Sequence, residues 1–207
     1  MTRRGLGVDP RALLARPRVY SLFRRLVGRD SARLAYARDY LRARPGERVL
    51  DIGCGTGDIL RYLPAVRYVG YDLSQSYIDR ARERFGDRGE FHCRAVDDDL
   101  AQGEPSFDLA IAHGVLHHLD DAEAASLFRV AKRALKPGGR LVTFDGCFTH
   151  DQSLAARLFL SLDRGRHVRE PEAYERLARG AFAQVRSFVR HDLIRIPYTH
   201  VILECTA

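Results

Sequence analysis

The sequence predicts an α/β fold: a doubly wound, seven-strand mixed sheet whose last two strands form an antiparallel hairpin. Three observations carry this reading. Strand-like and helix-like patterns alternate from residue 47 onward, as they do in a parallel sheet with helices on both faces. An apolar run at 48–52 leads into three alternate glycines, Gly53, Gly55 and Gly57, ahead of a helical segment. Two strand patterns, 182–191 and 198–205, are joined by a short link containing Pro197. A parallel return would need roughly a dozen residues or more, so this pair is antiparallel.

Each element has its own signal. The run Arg48-Val-Leu-Asp-Ile52 suits a buried strand, and residues 58–63 open a helix that Pro64 closes. Residues 67–72 read as the second strand. Ser74 is placed to cap a helix through Phe85, with Ile78, Ala81 and Phe85 on one face. Strands come next at 90–94 and at 107–112, the latter the most apolar. Asp120 and Glu123 form a capping box for a helix through about Leu135. Lys136-Pro-Gly-Gly139 ends it, and 140–144 is the fifth strand. Outside this frame lie an Arg-rich helical cap at 1–46 and a lid or substrate region at 146–180, within a single domain spanning 1–207.

Composition sets the bounds. A chain of 207 residues, 45% hydrophobic and 29% charged, suffices for one folded α/β domain and not for two. Its apolar runs are too short for a membrane span, and an N-terminus rich in Arg lacks the pattern of a signal peptide, so a cytoplasmic location is expected. The four cysteines form no CxxC pair, which argues against a zinc site and for reduced thiols. The net charge of +7 is almost all arginine, since Lys132 and Lys136 are the only lysines. Charge of this kind permits non-specific nucleic-acid association without indicating it.

The glycine loop carries the chemistry. Glycines let the backbone turn tightly and approach a ligand, while the next helix points amides at it. The loop is GxGxG, and Asp58 stands where a dinucleotide fingerprint has its third glycine. A carboxylate there repels a pyrophosphate, which disfavours NAD; a plain tight turn is the other reading. Asp51 suits a cationic amine. Asp72, 21 residues after Asp51 at the end of the second strand, suits ribose hydroxyls or caps the next helix. A ribose acid beside a loop that rejects pyrophosphate points to a nucleoside without phosphates.

At these residues the chain resembles the class I S-adenosylmethionine-dependent methyltransferases, with their Rossmann-like fold. The matching strings are VLDIGCGTGD (49–58), YVGYDLS (68–74), FDLAIAHGVLHHLDD (107–121) and LKPGGRLVTFD (135–145), in the family's order across 47–145. The resemblance implies S-adenosylmethionine as cofactor. Asp51, Gly53, Gly55 and Gly57 would hold its methionine part, Asp72 with Leu73 its nucleoside, and the chain around His113 its amine. The family often has Asp-Ala after the third strand for adenine. Here Ala95 and Val96 stand there, so the contact would come from Val96 with Asp97 or Asp98.

The residues after the fourth strand bear on the acceptor. The Pro-Pro-Tyr motif of base and amide methyltransferases is missing, as are the metal-ligand cluster of the catechol type and the paired Glu of protein arginine methyltransferases. His117, His118 and Asp145 fall at the carboxyl ends of strands, where ligands sit in an open α/β sheet. A hydroxyl acceptor must lose a proton, and His is suited to take it, so these three are the catalytic candidates. A packing role for one His, with catalysis by alignment alone, is the other reading. Tyr20, Phe23 and Tyr36 could close over the sulfonium. The string Asp163-Arg-Gly-Arg-His-Val-Arg169 could bind a substrate anion, or be a solvated loop.

The reading is therefore methyl transfer to a small-molecule oxygen or nitrogen in bacterial specialised metabolism, by a monomer or homodimer acting without a membrane or nucleic acid. The alternatives are a non-methylating use of the same cofactor, an RNA methyltransferase, and a pseudoenzyme that binds the nucleoside.

Overall fold

The computed structural model describes residues 30–97, 105–161, 165–194 and 196–207. Tyr20, Phe23 and Asp98, and with them most of the N-terminal cap, lie outside the described residues, as do positions 163 and 164 of the arginine string. Seven strands form one sheet: β1 (Arg48–Ile52), β2 (Arg67–Asp72), β3 (Gly89–Cys93), β4 (Phe107–His113), β5 (Leu135–Gly146), β6 (Gln184–Arg190) and β7 (His200–Thr206). Their order is β3-β2-β1-β4-β5-β7-β6. The pairings are parallel except that β7 runs antiparallel to both β5 and β6. This is the mixed sheet expected from the pattern.

The helices are α1 (Asp30–Tyr36), α2 (Gln75–Phe85), α3 (Asp121–Ala134), α4 (Leu154–Ser161) and α5 (Pro171–Arg179). Alternation along each strand sends side chains to opposite faces and gives two cores. Leu50, Ala110, Phe128, Leu141 and Tyr174 belong to one, and Val49, Tyr68, Ile78, Ile111 and Ile202 to the other. Burying a Leu or Ile of this kind contributes roughly 1.5–3 kcal/mol. The two halves of the sheet diverge between β1 and β4, and the crevice at their carboxyl ends is where an α/β sheet takes its ligand.

Local details differ from the sequence reading in four places. The α3 capping box forms as expected, but the helix stops at Ala134 and Leu135 pairs with Phe107. The Lys136–Gly139 segment therefore lies within β5, where the register shifts and Gly138 takes φ 74°. Ser74 stands at the N-cap of α2 without a side-chain capping bond; its amide instead donates to Asp72 at 2.8 Å. The first helical segment is a 3-10 turn, Asp58–Tyr62. The hairpin strands begin at 184 and 200, so the link is longer than the Pro197 region alone.

Beyond Tyr36, α1 widens into a π-helical turn, Ala37–Leu41, that ends at Arg42 with φ 45°. Arg140 of β5 donates to the carbonyls of Leu41 and Arg42 and pairs with Glu47, while Arg190 of β6 donates to the Tyr40 hydroxyl. These bonds fix the described end of the N-terminal cap to the sheet and set Tyr36 over the carboxyl ends of β4 and β5.

Candidate active site

The glycine loop comes directly after β1 and is held by the neighbouring strand. The amides of Gly53 and Cys54 both donate to the Tyr71 carbonyl, at 2.8 and 2.9 Å. All three loop glycines have positive φ (74°, 54° and 70°), a region other residues enter only at a cost. Their surroundings separate them. A Cβ at Gly53 would meet Val115 at 2.5 Å and one at Gly57 would meet Phe91 at 3.1 Å, whereas one at Gly55 would meet nothing within 4 Å. Two glycines thus serve packing, and Gly55 alone leaves open space against the loop backbone.

Asp72 closes the loop from the end of β2. One carboxylate oxygen accepts from the Gly55 amide at 2.9 Å and the other from the Ser74 amide at 2.8 Å. A carboxylate offers about four acceptor positions, so two bonds fix its orientation and leave capacity for ligand hydroxyls. Leu73 beside it is 77% exposed, an apolar face for a flat ring with little else to explain it. Val96 is half-buried against the core below and Asp97 is exposed.

Asp51 lies 2% exposed in mid-sheet. One of its carboxylate oxygens accepts from the Tyr68 hydroxyl, and the other has no hydrogen-bond partner among the described residues. Burial pushes its carboxyl up to about 7, the Tyr68 hydroxyl pulls it down, and Asp72 adds to the rise. A buried carboxylate oxygen left unpaired among the described residues, two positions before the loop, is what an amino-acid ammonium would satisfy. These residues therefore fit the nucleoside and amino-acid parts of S-adenosylmethionine.

The His113 ring ends β4 stacked on Phe144 at 4.3 Å, with Tyr36 edge-on to both. The stack continues through His200, 4.5 Å from Phe144. Burial, then the charges of Asp51, Asp145 and Glu204, hold the Tyr36 phenol well above its usual range. Its buried hydroxyl has no hydrogen-bond partner among the described residues.

On the opposite face the two histidines part company. His117 is 8% exposed, and its Nδ1 lies 2.8 Å from an Asp145 oxygen that also accepts the His117 amide at 3.2 Å. Burial raises the Asp145 carboxyl while His117 draws it back. With the carboxylate accepting, the proton sits on Nδ1 and the lone pair on Nε2. The ring edges beside Nε2 abut glycines: a Cβ at Gly165 would meet Cδ2 at 2.4 Å, and one at Gly114 would lie 3.6 Å from Cε1. His118 is exposed, its ring centre 4.1 Å from that of His117.

Arg169 corrects one expectation about the arginine string. Rather than meeting a substrate anion, its guanidinium donates to the carbonyls of Leu116, His167 and Leu119 and pairs with Asp121. Together with the His167 amide on the His117 carbonyl at 2.9 Å, it straps the 165–169 segment onto the histidine turn. Arg169 adds donors to the carbonyls at the end of the short turn Leu116–His118, where Leu116 otherwise accepts only the Leu119 backbone amide among the described residues.

A family model described as "Methyltransferase domain" matches residues 50–141. The malonyl-[acyl-carrier protein] O-methyltransferase of Hahella chejuensis is 31% identical over 137 residues, covering 64% of this chain and 48% of that protein. The 27-O-demethylrifamycin SV methyltransferase of Amycolatopsis mediterranei is 37% identical over 111 residues, covering 49% of this chain and 39% of that protein. The chain thus spans less than half the length of these two relatives. Among solved structures, phosphoethanolamine N-methyltransferase 2 of Haemonchus contortus, in complex with S-adenosylhomocysteine, superposes with TM-score 0.72 at 17% identity, covering 96% of this chain and 59% of that one. With the seven-strand order, the glycine loop and the Asp72 carboxylate at the end of β2, the chain carries a methyltransferase domain similar to those of the class I S-adenosylmethionine-dependent enzymes.

Proposed function

We propose that this protein transfers a methyl group to an oxygen or nitrogen of a small-molecule acceptor, with His117 as proton acceptor and Asp145 as the group that orients it. The observation that carries this is the 2.8 Å contact from His117 Nδ1 to a buried carboxylate at the carboxyl end of β5. When bound, S-adenosylmethionine supplies an electrophilic methyl group on a cationic sulfur. The chain's own residues do the rest. Asp51 and the Gly53–Gly57 backbone take the methionine end, Asp72 and Leu73 the nucleoside, and the His113 segment lines the space between.

The acceptor would enter above the carboxyl ends of β4 and β5, where Tyr36 packs on His113 and Phe144 and the 165–169 segment is bonded to the histidine turn. Nε2 of His117 then takes a hydroxyl proton as the new bond forms, or takes an ammonium proton before attack so that the nitrogen lone pair is free. The two named relatives are both called O-methyltransferases or act at an oxygen by name, which supports a small-molecule acceptor. We place the reaction in bacterial specialised metabolism in the cytoplasm.

The test is turnover. The chain, mixed with S-adenosylmethionine and a panel of hydroxylated and amine acceptors, should release S-adenosylhomocysteine and a product 14 mass units heavier, the mass of one CH₂. Binding of the nucleoside with no turnover on any acceptor class would replace this reading with a binding protein. Labelled RNA as the preferred acceptor would replace the substrate class.

A further inference from the structure

Tyr68 opens the matching string YVGYDLS, but the resemblance gives it no role, and the structure builds a site for it. In the sheet register Tyr68 pairs with Val49 on β1 and Gly89 on β3, while Asp51 pairs with Gly70. Tyr68 and Gly70 share one face of β2, so the tyrosine ring reaches Asp51 by lying over Gly70. Two glycines make room for it. A Cβ at Gly89 would meet the Tyr68 ring at 2.8 Å, and one at Gly70 would meet it at 3.0 Å and the Cys54 sulfur at 2.9 Å. The ring ends with its hydroxyl on one oxygen of Asp51, and the other oxygen is buried and without a hydrogen-bond partner among the described residues.

We propose that Tyr68 is a positioning residue that makes cofactor binding a proton-exchange step: the ligand's ammonium displaces a proton from Asp51, and the Tyr68 hydroxyl sets how easily that proton leaves. This rests on the placement of the methionine end at Asp51 proposed above. The exchange balances simply. A neutral carboxyl and a cationic ammonium become a carboxylate–ammonium pair, and one proton passes to the buffer.

The surroundings favour Asp51 as the group that titrates. Tyr68 and Asp72 face it from β2, Cys54 from the loop and Tyr36 from α1, and none of these is a cation. Burial holds the Tyr36 and Tyr68 phenols and the Cys54 thiol up, hence neutral, near pH 7. On β4 the titratable group of the same face is His113, two residues beyond the Ile111 that pairs with Asp51. Asp51 itself, at about 7, is poised to exchange its proton where enzymes work.

Calorimetry with S-adenosylhomocysteine, in buffers of differing ionisation enthalpy, counts the proton without requiring turnover. A carboxyl at about 7 should release close to ~0.9 proton on binding at pH 6 and ~0.25 at pH 7.5, with affinity rising about eightfold between them. In Tyr68→Phe the ionised form loses its hydrogen bond. For an upward shift of about one unit, release at pH 7.5 should climb to ~0.75, with affinity falling about ninefold at pH 6 and about threefold at pH 7.5. Equal loss at both pH values would mean a merely structural tyrosine and overturn the proposal. Asp51→Asn should abolish the release and flatten the pH dependence; a response that survives it belongs to His113 and overturns the proposal too. No release by the wild type, with Asp51→Asn still weakening binding, refutes the exchange alone. Unchanged affinity in Asp51→Asn refutes the placement of the ligand as well.

Discussion

His117 and Asp145 meet across the ends of β4 and β5, Nδ1 to carboxylate oxygen at 2.8 Å, while His118, the adjacent residue, points outward. The buried ring is oriented by a carboxylate at one nitrogen, as a base that must present its lone pair in a fixed direction requires.

His117→Ala should cut turnover by about 10²–10⁴, the range of a general base, and His118→Ala by less than about threefold. Nucleoside affinity, measured separately by calorimetry, should be nearly unchanged in both. Asp145→Asn should fall between them, because an amide can stabilise the wrong tautomer of His117. If His117→Ala loses less than about threefold, catalysis rests on alignment of the acceptor alone.

Gly165 gives a steric test of the same site. A Cβ there would meet His117 Cδ2 at 2.4 Å, and the 165–169 segment is tied down by Arg169, so the ring has to yield. Gly165→Ala should lower kcat at least tenfold and lower the thermal midpoint as well, since the added Cβ meets both the buried His117 ring and the His117 carbonyl. A variant with wild-type kcat would show that the ring orientation does not matter to the reaction.

The sheet was legible because its determinants are local. Alternation, the glycine loop and the Asp120–Glu123 box are each contained in a few residues, and strands such as 48–52 and 67–72 match residue for residue. Asp51, Asp72 and Asp145 were visible as carboxylates at strand ends for the same reason. Their partners were not. Tyr68 meets Asp51 only through the register of two strands, and Gly165 meets His117 from 48 positions further along the chain. The arginine string misled for a related reason: Arg169 is charged, but its donors go to carbonyls that the sequence does not display as acceptors.

Asp72 should dominate the nucleoside affinity. Its carboxylate both orders the loop, through Gly55, and offers the remaining acceptor positions to ribose hydroxyls. Hydrogen bonds to charged groups contribute roughly 1.5–3 kcal/mol each. Asp72→Ala should therefore weaken S-adenosylhomocysteine roughly 10–100-fold, and Asp72→Asn less, because one oxygen remains to accept. Calorimetry on variants whose melting curves match the wild type checks this. Loss confined to turnover, with binding intact, would move the ribose elsewhere.

Asp51 should cost the ligand-free protein stability at neutral pH. Its folded carboxyl, at about 7, lies above the unfolded value of roughly 3.9, so the native state holds the extra proton between those limits. Stability is then lost as pH rises through that window and not regained above it. At about 1.4 kcal/mol per unit, the shift amounts to at most about 4 kcal/mol of native-state penalty, most of it appearing between pH 5 and pH 7. Asn at this position cannot ionise, and its carbonyl still accepts from the Tyr68 hydroxyl. Asp51→Asn should thus melt higher than the wild type at pH 8, by roughly 2–4 °C for each kcal/mol recovered, and gain much less at pH 5. An equal shift at both pH values, in either direction, would mean that the carboxyl is ionised throughout and that the orphaned oxygen carries its charge without penalty.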